Sequence, residues 1–584
     1  MLKLLKKMRS KEIIMTVICA VLLLGQIYFD LEMPDYMKEL TNLIQTESAV
    51  SEIWIVGLKM LGCALISAVL CVACGYLSAK IASGFTYTVR EDLFKHVSSL
   101  GQEEMLKFSV PSLITRTTND ITQIQMVIAM GLQALVKSPI MAIWAIIKIL
   151  GKSWQLSLVT AIFVIILVSS ITIILATVMP RFRFVQKLTD KINRIARENL
   201  IGINVVHAFN AEDYQNEKFD KTNVVMKKMQ LKNQHSFAAI QPILGLGMNG
   251  LSLCIFWIGA VLISNIPMTN VNGRLEMFSD VVVFSTYATY VVMSFMMLVM
   301  IFMMLPAAEV SAERINQVLE TEANIKQGNV VEGKEKGTVE FKNVSFKYPG
   351  AGDEDLTNVN FKVNKGETLA IIGATGSGKT TLISLIARFY DATKGEVLVD
   401  GVNVKDYTFD GLYDKLGYVT QKAVLFAGSI KDNVTFGESK NETTDEDVNK
   451  AIDLACAREF VDKLDDGVEA PIAQGGRNVS GGQKQRLSIA RALARKAEIL
   501  IFDDSFSALD YRTDKALRTG LNEQLADTTK IIVAQRISTI RNADKILVID
   551  DGEIVGDGTH EELMKNCSVY REIAMSQLSE KELS

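Results

Sequence analysis

The sequence predicts a polytopic α-helical membrane domain of about six transmembrane helices fused to a soluble α/β domain. Three observations carry that prediction. Hydrophobic residues make up 49% of the 584, and the mean hydropathy is +0.21, high for a chain that lives wholly in water. The long apolar runs lie before about residue 310. After it, short apolar strands alternate with helical patterns, as in an α/β domain. A length of 584 residues is too great for one core, so two or more domains are expected. Only 22% of residues are charged and the net charge is -4, which argues against a nucleic-acid binder.

Roughly 20 apolar residues cross a bilayer as a helix. Runs of this kind lie near 12–31, 53–80, 126–149, 155–178, 237–264 and 278–305. The fourth, "LSLVTAIFVIILVSSITIILATVM", is the most uniform, whereas the third carries Gln133, Lys137 and Pro139. The amino end carries Lys3, Lys6, Lys7, Arg9 and Lys11, and the next loop is acidic. Basic residues stay inside, so the amino terminus is expected in the cytoplasm. That segment lacks a clear small-residue cleavage site, so it does not read as a cleaved signal. Two charged stretches, about 81–125 and 179–236, keep helical periodicity and read as extensions of the membrane helices into the cytoplasm. The outer connection near 150–154 is short by comparison.

Within the spans, Lys59 and Lys137 are ionisable residues that either face a polar cavity or snorkel to an interface. The sixth span is rich in methionine, including Met293, Met296, Met297 and Met300. Methionine fills gaps between helices and also makes deformable walls for varied apolar ligands. Lys137 and these four methionines are therefore candidates for a substrate path. Cys71 and Cys74 form a C-x-x-C inside an apolar run, where cysteine behaves as a small hydrophobe and not as a redox pair.

In the soluble half, "TLAIIGATGSGKTTLISLIARFY" gives a short strand, a glycine loop and a helix. This is G-x-x-x-x-G-K-[ST] in its required setting. Gly373, Thr375, Gly376, Ser377 and Gly378 free backbone N–H groups to wrap phosphate oxygens. Lys379 reaches the β- and γ-phosphates, Thr380 ligates Mg²⁺, and the helix start, with Thr381, faces the anion. A second strand, "AEILIFDD", ends in Asp503, which completes a Mg²⁺ site. Between them, Ser480, Gly481 and Gly482 open an amphipathic helix with bare donors, an anion site apart from the chain's own P-loop.

Together these motifs resemble the ABC exporter half-transporters, six transmembrane helices followed by an ABC nucleotide-binding domain. The likeness covers nearly the whole chain. "VSGGQ", Val479 to Gln483, is similar to the family signature, with Val479 where leucine is usual. Tyr348 falls at the adenine-stacking position, Gln421 at the Q-loop, where it also serves Mg²⁺, and Ser507, Ala508, Leu509 and Asp510 at the D-loop. "FSVPSLITRTTNDI" and "ENLIGINVVHAFNAEDYQNEKF" resemble the loops that carry coupling helices. The resemblance implies a membrane domain over 1–320, a linker over 321–336 and the nucleotide domain over 337–584. It also implies a head-to-tail pair of nucleotide domains in which each ATP lies between one P-loop and the other chain's signature.

The family pattern breaks at two places. Asp504 stands where the general-base glutamate belongs, one methylene short, or about 1.5 Å. Gln535 stands at the switch histidine and cannot become cationic. That combination resembles the degenerate-site subunit of heterodimeric multidrug ABC exporters of Gram-positive bacteria. By this resemblance the chain is an ATP-hydrolysing translocase subunit in the cell membrane, using ATP and Mg²⁺. Its own site holds ATP, and Ser480, Gly481, Gly482 and Gln483 complete the competent site of a second, non-identical half-transporter. Hydrophobic small molecules or lipids are the expected cargo, with membrane lipids around the spans and no nucleic acid as partner. A lipid flippase, a slow homodimeric exporter and a regulatory non-transporting subunit fit the same motifs. The charged tail after about residue 570 reads as a frayed helix.

Overall fold

The computed structural model describes residues 1–150, 153–438, 440 and 442–577. The short connection near 150–154 includes 151–152, and the charged tail includes 578–584, both outside the described residues. By internal packing the chain divides into two units. One joins Met1–Ser98 to Val110–Glu320; the other joins Ser99–Ser109 to the chain from Thr321 onward.

Six helices in the first part of the chain are long and apolar enough to cross a membrane: Ser10–Gln45, Val50–Ser99, Val110–Leu150, Trp154–Ile201, Glu212–Ser264 and Val271–Leu319. The six-span reading therefore holds. The second helix has 50 residues, about 75 Å of helix against about 30 Å of hydrocarbon. The surplus falls in the two charged stretches, which are helical apart from breaks near 100–109 and 202–211. Two short helices occupy those breaks, Gln102–Lys107 and Ile203–Ala208.

Side chains sort by environment. Leu58, Leu65, Val69 and Val72 of the second helix are exposed, as a lipid-facing surface requires. Ile27, Met141, Ala145, Ile255, Phe284, Tyr287 and Val291 pack together inside. The buried Tyr287 hydroxyl donates to the Leu31 carbonyl at 2.9 Å, so its polar end is satisfied. The fifth helix comes close to the fourth at Gly247, where a Cβ would lie 2.5 Å from Leu167 Cδ2; small residues permit such approaches between membrane helices.

The second unit is built on two larger sheets. The first is antiparallel, from β1 (Val339–Phe346), β2 (Leu356–Val363), β4 (Lys394–Val399) and β5 (Val402–Asn403) in the order β2-β1-β4-β5. The second contains β3 (Thr368–Ile372), β6 (Leu416–Val419), β9 (Ile499–Asp503), β10 (Thr529–Val533), β11 (Lys545–Asp550) and β12 (Glu553–Gly558). Its order is β12-β11-β3-β10-β9-β6. All neighbours are parallel except β11 with β12. A small pair, β7 (Gly428–Ser429) and β8 (Pro471–Ile472), lies apart. Every residue of β9 and β10 is buried, which explains why "ILIFD" and "TKIIV" read as runs without alternation.

Candidate nucleotide site

Four neighbouring parallel strands bring the candidate residues to one edge. β3, β10, β9 and β6 lie side by side, so their carboxyl ends point the same way. β3 runs into Gly373–Lys379, β9 ends in Asp503 and Asp504, β10 leads to Gln535, and β6 leads to Gln421. Ligands of open parallel sheets sit beyond those ends.

The loop after β3 is shaped for backbone contact. A Cβ at Gly373 would lie 2.0 Å from the Ile549 carbonyl oxygen, so only glycine fits. Gly378 has φ 99°, which an L side chain resists. Gly376 at the crest is open, with nothing within 4 Å of a Cβ placed there. Thr375 lies beside it, and Ser377 is buried and donates its N–H to the Ala374 carbonyl at 3.2 Å. The helix Lys379–Ile386 then starts at the loop and aims its positive end outward.

Lys379 is buried, and its ammonium donates to the carbonyls of Gly373 at 3.0 Å and Ala374 at 2.6 Å. Burial pulls its pKa down, against the charges of Asp504 and Asp503. It has no carboxylate ion pair among the described residues; a phosphate would supply the missing anion. The Thr380 hydroxyl donates to Asp503 Oδ1 at 3.1 Å. Burial pushes the Asp503 carboxyl up, with Thr380 opposing. Two oxygen donors beside each other suit a hard cation such as Mg²⁺.

Tyr348 stands edge-on to Phe346 and Tyr390, with ring centroids 4.9 and 5.2 Å away. Its hydroxyl shares a 3.1 Å hydrogen bond with Thr381. The ring is thereby held to the helix Lys379–Ile386.

Asp504 adopts φ 45°, in the left-handed region, and its N–H donates to the Val533 carbonyl at 3.0 Å. The chain therefore turns sharply at the end of β9. The side chain meets two amides: Gln535 Nε2 donates to Asp504 Oδ2 at 2.9 Å, and Gln421 Nε2 to the same oxygen at 3.4 Å. Ser507 Oγ donates to the Asp504 carbonyl at 2.8 Å, which ties the D-loop to the same turn. Leu509 is buried beneath that loop, and Asp510 caps the next helix through the Thr513 N–H at 3.0 Å.

The signature segment is a capped helix start. Ser480 N donates to Gln483 Oε1 at 2.8 Å, and Gln483 N donates to Ser480 Oγ at 3.4 Å. Gly481 has nothing within 4 Å of an added Cβ, and Gly482 faces the Ala508 carbonyl at 3.4 Å. Val479 packs at the margin of the core. The first turn of Gly481–Ala494 thus presents its amides outward.

In the membrane unit, Lys137 pairs with Asp30 at 3.1 Å, joining the first and third helices, and Ser67 donates to the same carboxylate. Lys59 lies 5.9 Å from the centre of the Tyr36 ring. Met293, Met297 and Met300 are exposed, whereas Met296 packs against the core. The sequence does not reveal Asp30 as the partner of Lys137. Cys74 is buried beside Cys19, and Cys71 is exposed.

Two contacts have no motif to announce them. Gln577 Nε2 donates to the Gln535 carbonyl at 2.7 Å, and Ile537 N donates to Gln577 Oε1 at 2.9 Å. One side chain from the last described helix, Ser568–Gln577, brackets the segment after β10. The buried Glu104 accepts from Gly101 N at 3.0 Å and from Asn324 N at 3.2 Å, and Glu103 accepts from Asn324 Nδ2 at 2.9 Å. An acid at the third helical position of "GQEEM" was the available signal for the first of these.

Two family models match the chain: one described as ABC transporter over residues 356–507, and one described as ABC transporter transmembrane region over 15–295. An ABC transporter ATP-binding protein of Mycobacterium tuberculosis is 37% identical over 89% of this chain and 88% of its own. One from Bacillus subtilis is 34% identical over 96% of both. An ATP-dependent lipid A-core flippase of Escherichia coli is 30% identical over 90% of this chain and 88% of its own. The solved structure of a bacterial Atm1-family ABC exporter with ATP bound superposes with a TM-score of 0.80 at 22% identity. That match covers 98% of this chain and all of the other, and it shows the fold.

Proposed function

The chain belongs to the ABC transporter family, and from that premise we propose that it is the ATP-holding subunit of a heterodimeric exporter of hydrophobic compounds. As a member it is a multi-pass plasma-membrane protein with its ATPase domain in the cytoplasm, and it couples ATP to transport. The finer reading rests on one observation: Asp504 Oδ2 accepts from Gln535 and Gln421 at once.

A general base needs a lone pair aimed at water. Here two neutral amides share one oxygen, Oδ2, of a carboxylate one methylene short, and neither amide can gain charge as the leaving phosphate develops it. Loss of one positioned base or charge stabiliser costs about 10²–10⁴ in rate. The binding apparatus carries no such change. Lys379 meets phosphate, Tyr348 stacks on the base, and Thr380, Asp503 and Gln421 would hold Mg²⁺. When bound, Mg²⁺ offsets phosphate charge. The site is thus suited to keep ATP longer than to split it.

The first turn of the signature helix, from Ser480 to Gln483, serves the partner's ATP. Leu200, Ile201, Val205 and Phe209 around the short helix Ile203–Ala208 are exposed apolar residues, which supports a partner chain on that face. ATP drives the cycle by favouring the closed pair of nucleotide domains over the open one. Cargo crosses between the two sets of six helices, with the exposed Met293, Met297 and Met300 as an adaptable wall, Met296 behind them, and Lys137 on the path. The likeness to lipid A-core flippases favours a lipid as the second reading of cargo.

The test compares two substitutions in the purified complex: Lys379→Ala here and its counterpart in the partner. The first should weaken ATP retention while transport continues slowly, and the second should stop turnover. Equal effects, or a complex made of this chain alone, would sink the asymmetric reading.

A further inference from the structure

Lys530 is the second residue of β10, near the end opposite the one that leads to Gln535. Its residue exposure is 2%, yet its ammonium has no hydrogen bond or ion pair among the described residues. It lines a cavity of about 340 Å³ between the sheet, the helix Tyr511–Gln524 and the turn after Ile537–Ile540. Lys515 and Arg541 line the same cavity, and neither side chain is ion-paired among the described residues. The remaining polar groups include the Ser538 and Thr539 hydroxyls and the Asn522 amide.

The neighbouring carboxylates are already engaged. Asp514 is held at both oxygens by Arg518, at 3.0 and 2.9 Å. Asp544 accepts the Thr368 N–H at 2.8 Å and reaches Lys530 only through its charge. Burial lowers the Lys530 pKa. The Lys530 ammonium opens onto the cavity and feels the charge of Asp544 without pairing with it, so an anion entering the cavity meets an unpaired cation.

We propose that this cavity binds a small phosphate-bearing dianion, with Lys530 at its base and Lys515 and Arg541 at its mouth. Phosphate is favoured because three cationic residues line one cavity together with Ser538, Thr539 and Asn522, and guanidinium matches its oxygens. The ligand is either a free phosphate ion or the phosphate of a nucleotide. The site is separate from the P-loop, at the other end of β10. It also touches the switch segment, because Arg518 donates to the carbonyls of Ser538 at 3.1 Å and Thr539 at 3.3 Å. Nothing in this proposal depends on the Asp504 site being slow.

The experiment is calorimetric titration of inorganic pyrophosphate into the full chain in lipid nanodiscs, in its native assembly. A background with Lys379→Ala and the counterpart substitution in the partner's P-loop disables both P-loops. One saturable site per chain is expected, weakening with salt. Lys530→Met should reduce affinity at least about tenfold, and Lys515→Ala about threefold, as lost contacts between charged groups do. Lys515 is exposed, so its variant tests the site even where Lys530→Met disturbs packing. Displacement of pyrophosphate by ADP assigns a nucleotide source; displacement by phosphate alone assigns the free ion. No saturable binding, or unchanged affinity in both variants, overturns the proposal.

Discussion

Gln535 Nε2 and Asp504 Oδ2 are 2.9 Å apart, so a neutral amide and a short carboxylate occupy each other where the family places a histidine and a glutamate. This pairing leads to the first prediction. Asp504→Glu with Gln535→His should raise hydrolysis at this chain's site by about 10²–10⁴, and either change alone should do far less. Single-turnover hydrolysis, with the opposing P-loop disabled, reads the difference. An unchanged rate in the double variant would place the slow step outside these two residues.

Gln577 should set how long that site stays closed. Its two hydrogen bonds hold the main chain on either side of Arg536. Each is worth about 0.5–1.5 kcal/mol. Gln577→Ala should therefore speed release of a trapped fluorescent ATP analogue by several-fold. Gln577→Glu still accepts from Ile537 N but cannot donate to the Gln535 carbonyl, and should fall between. A Gln577→Ala protein with wild-type release, or one whose effect adds fully to that of Gln535→Ala, would refute a positioning role.

The Lys137–Asp30 pair should matter for stability in a way a double substitution exposes. Both side chains are about one-fifth exposed. Breaking a fully buried pair costs about 3–5 kcal/mol, so about 2 kcal/mol is expected here. Lys137→Met should lower the melting temperature in detergent, and Lys137→Met with Asp30→Asn should restore most of it. A double variant as unstable as the single would mean that neither charge is paired in the membrane.

His560 gives the nucleotide domain a pH dependence. Its Nδ1 is 2.7 Å from the Tyr570 hydroxyl. Burial lowers its pKa below 6.5, helped by Arg541 and opposed by Glu561. The unfolded chain then binds more protons, so stability falls as pH drops below about 6.5. From pH about 7.5 to about 5.5, the wild type should lose more melting temperature than His560→Gln. Equal losses would assign the dependence to other groups.

The fold was legible because its signals are local. Apolar runs of bilayer length gave the spans, and strand, glycine loop and helix in succession gave the start of the nucleotide domain. The motif residues were legible because phosphate chemistry fixes their spacing. Their convergence was not, since it depends on β10 lying between β3 and β9. Pairs distant in sequence left no trace either. Asp30 and Lys137 are 107 positions apart, and Gln577 lies 42 from Gln535. Nothing in a charged tail marks one glutamine as a clamp, and nothing in "TKIIV" shows that its lysine faces a cavity.

The grouping of Ser99–Ser109 with the ATPase unit sets a rule for dissecting the gene. A chimera spliced at residue 320 would graft a foreign ATPase onto a native Glu103–Glu104 step and would lose its bonds to Asn324. The transplantable module is therefore discontinuous: the eleven codons from Ser99 to Ser109 must travel with the chain from Thr321 onward. A swap that omits them exchanges the engine but leaves part of its mounting behind.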